Sequence, residues 1–251
     1  MKKKGLLFFL CLCLLHLTAY AQEVRVALCA NMQHAKDDLA RAFREQTGID
    51  VSFSTGSSGA LLTQIVNGAP FDVFLSADEE FVQSLCEKDL CACRPRVYAH
   101  GVLVIYSRDR DIGGITDLTG DSFRTIGIAD PESAPYGRAA VAALTRAGIL
   151  DAVSSKLVQA NKISVVHSHA VTGAVDCGFC AGSIRSAVGD SGYICEVPHE
   201  FYEPIKQAMV VIAREGGAGP GARAFFDFMS GDTARGILLR HGYGAPEVTD
   251  E

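Results

Sequence analysis

Apolar residues recur along this chain at two spacings that take turns. Residues 24–29 read as a strand, and from Met32 the apolar positions Met32, Ala35, Leu39, Ala42 and Phe43 fall at helical spacing until Gly48 stops them. Residues 51–54 alternate as a second strand, residues 55–59 make a polar turn, and residues 60–66 form a short helix closed by Asn67 and Gly68. Residues 72–76 give a third strand, and the segment after Asp78 is again helical. Such alternation predicts an α/β fold with a mainly parallel sheet covered by helices.

A second unit of the same kind opens near His100 with the apolar run 101–106. It continues through a strand at 125–129, a helix at 137–148 and a strand at 177–181. Pro204 disfavours a regular element, so residues 202–207 read as a connection into a last apolar strand at 208–213 and a helix at 222–229. These final elements have no unit of their own to complete. The economical solution returns them to the first unit, giving two lobes joined by two chain crossings with a ligand cleft between them. The expected division is 22–99 plus 187–251 for the first lobe and 100–186 for the second. No repeat at solenoid spacing is present.

The N-terminus changes the picture of where the protein works. Met1 is followed by Lys2, Lys3 and Lys4, then an apolar stretch containing Leu6, Leu7, Phe8, Phe9 and Leu10, then Ala19-Tyr20-Ala21. This is the pattern of a cleavable signal peptide, expected to comprise residues 1–21 and to deliver the chain to the periplasm. The apolar stretch is shorter than the ~20 residues a spanning helix needs. Cys11 and Cys13 lack the small residues that precede a lipidated cysteine.

The formal charge of the 251 residues is −6, and loss of the three signal lysines makes it −9. An acidic surface argues against nucleic acid, and it requires that any anion be held by local dipoles against the global field. Seven of the nine cysteines lie beyond the signal segment, so at least one is unpaired within a monomer. Cys86, Cys91 and Cys93 are close enough in sequence to hold a disulfide in an oxidising compartment.

Three loops lead into helices with small or polar residues at the point where backbone N–H groups lack partners: Ala30-Asn31-Met32, Gly56-Ser57-Ser58-Gly59 and Pro135-Tyr136-Gly137. Asn31 is expected to cap its helix. Each loop taken singly is an ordinary cap; two from one lobe and one from the other suggest an anion site in the cleft. The turns hold neutral donors, which suit a fully ionised oxyanion, whereas an acceptor would favour a protonated phosphate.

The segments Val26-Ala27-Leu28-Cys29-Ala30-Asn31-Met32, Gly56-Ser57-Ser58-Gly59-Ala60-Leu61, residues 68–78, residues 130–137 and residues 172–179 resemble, in order, the periplasmic molybdate-binding proteins of ABC importers. The stretch ending in Ser76-Ala77-Asp78 is the most specific. The resemblance implies a type II periplasmic binding protein fold that binds molybdate or tungstate, without catalysis or cofactor, and delivers it to an ABC transporter permease in the inner membrane. It implies contacts to the oxyanion from Asn31 and Ser58 through side chain and backbone, and from the backbone N–H groups of Tyr136 and Ile163. Molybdenum or tungsten would be held only as the oxyanion, and a monomer is expected. Asn31 stands where many relatives have serine, and Ala181 where some have tyrosine.

Competing readings are a binder of sulfate, phosphate or a small organic acid, and a thiol-disulfide enzyme built on Cys177-Gly178-Phe179-Cys180. In a strand, residues three apart point to opposite faces, which favours structural thiols there. His167 and His169 would diverge by about 200° on a helix, which favours solvated or locally bonded rings over metal ligands.

Overall fold

The computed structural model describes residues 23–246. The expected signal peptide lies outside the described residues. Ten strands form two five-stranded sheets. The first comprises β1 (Val24–Cys29), β2 (Val51–Gly56), β3 (Val73–Leu75), β4 (Arg96–Gly101) and β10 (Ile205–Val211), in the order β2-β1-β3-β10-β4. The second comprises β5 (Leu103–Ser107), β6 (Ile126–Ala129), β7 (Leu157–Ala160), β8 (Cys177–Ala181) and β9 (Tyr193–Glu196), in the order β7-β6-β8-β5-β9. In each sheet one strand, β10 or β5, runs against the other four. The two lobes therefore share one topology.

The longer helices are α1 (Lys36–Thr47), α2 (Ser58–Val66), α3 (Glu79–Cys86), α4 (Pro135–Arg146), α5 (Ile163–Thr172), α6 (Pro220–Met229) and α7 (Asp232–Arg240). Strand periodicity decides which helices cover which face of the first sheet. Val26, Leu28, Val73 and Leu75 join the core with Leu39, Phe43 and Phe225, whereas Ala27 and Phe74, one residue out of step, join Leu61, Ile65, Val82 and Leu85. So α1 and α6 cover one face while α2 and α3 cover the other. The continuous apolar runs in the sequence reflect strands buried on both sides.

Three boundaries differ from expectation. Residues 205–207 are strand, because Pro204 precedes β10 and removes no N–H that β10 needs. β4 was hidden by polar Arg96 and His100 at an edge position, and Gly101 ends it, so the chain crosses between lobes at Val102. Tyr193–Glu196 pairs with β5, so residues 193–196 belong with the second sheet and the return crossing follows Glu196. Cys86 and Cys91 form a disulfide beside β10, and Cys29, Cys93, Cys177, Cys180 and Cys195 are free. Among the described residues, no helix is long and apolar enough to cross a membrane.

Candidate functional site

Asn31, Ser58, Tyr136 and Ile163 line one cavity, together with Cys29, Ala30, Ser57, Ala77, Ala134 and Pro135. Residues up to Ala77 come from the first lobe and the remainder from the second. The cavity is small and largely closed, and admits no extended ligand.

Three helices begin at this cavity. Ser58 is the first residue of α2, Ile163 the first of α5, and Tyr136 follows Pro135 at the start of α4. The first turn of a helix has no carbonyl one turn back, so these N–H groups are left to a ligand, with the positive ends of three helix dipoles behind them. Pro135 stands where its missing N–H costs nothing. Gly137 is required behind it, because a Cβ there would collide with the Ala129 carbonyl oxygen. Sequence reading found the openings of α2 and α4; the opening of α5, although Asn161 and Ser164 flank Ile163, was not singled out and entered only through the family resemblance.

The side chains are equally ordered. The Ala77 N–H donates to Ser58 Oγ at 2.9 Å, leaving the hydroxyl proton of this buried serine free to donate. Asn31 does not cap α1. It lies inside a 3₁₀ turn (Ala30–His34) and makes no capping bond. Its Nδ2 donates instead to Gln207 Oε1 (2.9 Å) and Tyr243 Oη (3.1 Å), and its Oδ1 is buried without a partner. The Asn31 carbonyl accepts from Ser183 Oγ (2.9 Å) and Tyr243 Oη (2.8 Å), which holds the turn against the second lobe.

No Lys, Arg, Asp, Glu or His is among the described residues lining the cavity. Burial pushes the Cys29 thiol up to about 12 and raises the Tyr136 phenol, so both are neutral near pH 7. Asp78, one residue beyond Ala77, caps α3 by accepting from the Phe81 N–H at 3.2 Å. Burial raises its pKa against the lowering effects of that N–H and of Arg138. Arg138, from α4, pairs with Asp78, reaches Glu80 at 3.3 Å and lies 5.2 Å from the centre of the Phe81 ring. The Gly59 N–H donates to the Ser133 carbonyl at 3.0 Å alongside. These contacts close one edge of the cleft.

Gln207, Tyr98, Tyr243, Arg138 and Asp78 were not identified as site neighbours from sequence. Gln207 had a detectable signal, a polar residue beside the apolar run of β10, but Tyr243 lies more than 200 residues from Asn31 and only folding brings them together. A larger open depression of about 630 Å³, lined by Arg110, Asp117 and Arg124 among others, lies on the second lobe without any helix opening of eight residues or more. Cys177 and Cys180 are buried in β8, with Cys177 pushed up to about 12 and Cys180 also raised by burial. His167 is buried and its Nε2 accepts from the Ala181 N–H at 3.0 Å, while His169 is half-buried.

Residues 24–244 match the family model of bacterial extracellular solute-binding proteins. The chain is similar to the molybdate-binding protein ModA of Azotobacter vinelandii, at 37% identity over 240 residues covering 92% of this chain and 93% of the other. It is similar to ModA of Rhodobacter capsulatus at 36% identity, covering 91% of each chain. The solved periplasmic molybdate-binding protein of Azotobacter vinelandii superposes with a TM-score of 0.81 at 34% identity, covering 89% of this chain and all of that one. With two like sheets, a cleft fed by helix openings and similarity along nearly its whole described length, this chain belongs to the bacterial extracellular solute-binding proteins, in their ModA-type molybdate-binding group.

Proposed function

We propose that this protein captures molybdate or tungstate in the periplasm and delivers it to the permease of an ABC importer, the anion being cargo and not a cofactor. The observation that carries this reading is the convergence of Asn31, Ser58, Tyr136 and Ile163, from both lobes, on one cavity whose lining holds only neutral groups. A tetrahedral dianion can take N–H and O–H donors on every side, and helix dipoles supply attraction without a proton that the ligand would have to share. Arg138 neutralises Asp78 at the edge, so the nearest carboxylate is not left to repel the anion.

Selectivity over sulfate follows from size. Donors spaced for the larger anion leave N–H groups unpaired around a smaller one, at roughly 1–3 kcal/mol each. Ala181 donates its N–H to His167 and offers no hydroxyl, so oxygen coordination here rests on the helix openings with Asn31 and Ser58. The export signal, a monomeric state and the permease partner belong to the same proposal. A thiol enzyme is disfavoured because Cys177 and Cys180 are buried and hold their protons.

Titration calorimetry with molybdate, tungstate, sulfate and phosphate tests the reading. Strong heats are expected from the first two and weak ones from the others. No heat with molybdate and tungstate would overturn it.

A further inference from the structure

We propose that Gln207 is a positioning residue for anion binding, deciding which end of the Asn31 amide faces the cavity. This rests on the reading that Asn31 contacts the anion. Asn31 is 1% exposed and lines the cavity, yet its amide gives both recorded N–H donations to Gln207 and Tyr243 and leaves Oδ1 without a partner. An oxyanion offers only lone pairs, so a carbonyl oxygen in that position repels it. The amide must turn over before Asn31 can donate to the anion.

Gln207 is fully buried in β10 and is the residue that can follow this turn. Its Oε1 accepts from Asn31 Nδ2 at 2.9 Å and from Tyr98 Oη at 3.0 Å, and its Nε2 donates to Tyr136 Oη at 3.4 Å. If both amides turn over together, every group finds a new role. Gln207 Nε2 donates to Asn31 Oδ1 and to Tyr98 Oη, and Tyr98 gives its one proton to the Ser76 carbonyl (3.0 Å). Tyr243 Oη turns its proton from the Asn31 carbonyl, which keeps the Ser183 hydroxyl, to Asn31 Oδ1, and Tyr136 Oη donates to Gln207 Oε1. Asn31 Nδ2 then occupies the orphaned position as a donor. Turning Asn31 alone would set two carbonyl oxygens face to face, and turning Gln207 alone two NH2 groups, so the two amides move as a pair. Gln207 thereby joins the anion site to Tyr136 of the second lobe, and Gly101 leaves the space that the Tyr136 phenol needs.

The test is molybdate titration calorimetry on the full chain from neutral to alkaline pH, with Gln207→Met, Gln207→Glu, and each combined with Asn31→Ser. Methionine neither donates nor accepts comparably, and an ionised glutamate can only accept, so it locks the Asn31 donors away from the anion. A serine hydroxyl at position 31 turns by itself and needs no positioning. The expected results are a loss of affinity of about tenfold or more in Gln207→Met at every pH, and in Gln207→Glu a loss that develops as the glutamate ionises and is reversed when it is protonated. The wild type stays flat over the same range, and both losses disappear in the Asn31→Ser background. Should Gln207→Met fail to fold, the pH profile of Gln207→Glu decides alone. Wild-type affinity in the Gln207 variants, a pH-independent loss in Gln207→Glu, or losses that persist with Asn31→Ser would overturn the proposal. A wild-type chain that gives no heat with molybdate would instead overturn the underlying site reading.

Discussion

Ser58 shows how one small side chain can serve fold and ligand together. Its oxygen accepts the Ala77 N–H, which fixes the loop after β3 against the start of α2, and its proton remains for the anion. Ser58→Ala removes a donor to a charged group, worth about 1.5–3 kcal/mol, so molybdate affinity should fall roughly ten- to a hundredfold by titration calorimetry. Unaltered affinity would remove Ser58 from the site.

His167 is a second case in which burial decides chemistry. Loss of hydration, followed by the repulsion of His34, lowers its pKa from 6.5 to about 3. His34, stacked against it at 5.7 Å, is itself lowered by burial and by His241. A depressed histidine pKa means the folded state refuses a proton that the unfolded chain accepts. Stability is therefore complete above pH 6.5 and declines as pH falls toward about 3. His167→Gln should flatten that acid decline, measured as denaturant midpoints at neutral and mildly acid pH. An equally steep decline in the variant would assign it to other groups.

At the scale of elements, the anion site consists of places where helices begin. α2, α4 and α5 each follow a strand of their own lobe, so the carboxyl ends of the parallel strands aim their openings at one region, as expected for ligand sites in α/β sheets. α4 also carries Arg138, whose pair with Asp78 and Glu80 ties its first turn to that of α3. Those contacts form only while the lobes are together. Arg138→Met should therefore speed molybdate release in stopped-flow displacement by up to about fivefold, the modest size reflecting a partly exposed pair. A change confined to the association rate would show that Arg138 steers the anion and does not hold the cleft shut.

For the whole molecule, the formal charge of −6 and the uncharged lining of the cavity make one prediction about kinetics. A protein that lures anions with a basic surface binds them more slowly as salt rises. Here the global field opposes the dianion, so the association rate should rise with ionic strength over the range where the Debye length shrinks from about 30 Å to about 8 Å. A falling rate in stopped-flow measurements would reveal a local basic funnel at the cleft mouth.

The sequence by itself determined the alternation of strand and helix, because apolar periodicity is local and both faces of each central strand had to be apolar. It also marked the openings of α2 and α4, where Ser, Gly and Pro have backbone reasons to stand. It did not mark β4 and β9, edge strands whose exposed positions break the apolar pattern, nor α5, whose opening at Ile163 contributes through its backbone alone. Only the tertiary structure decided that Asn31 bonds to Gln207 and Tyr243 and caps no helix, since those partners lie 176 and 212 residues away. The physical reason is the same in each case. Periodicity and capping are set by neighbours in the chain, whereas the aim of a buried amide is set by whatever polar groups the two lobes bring beside it.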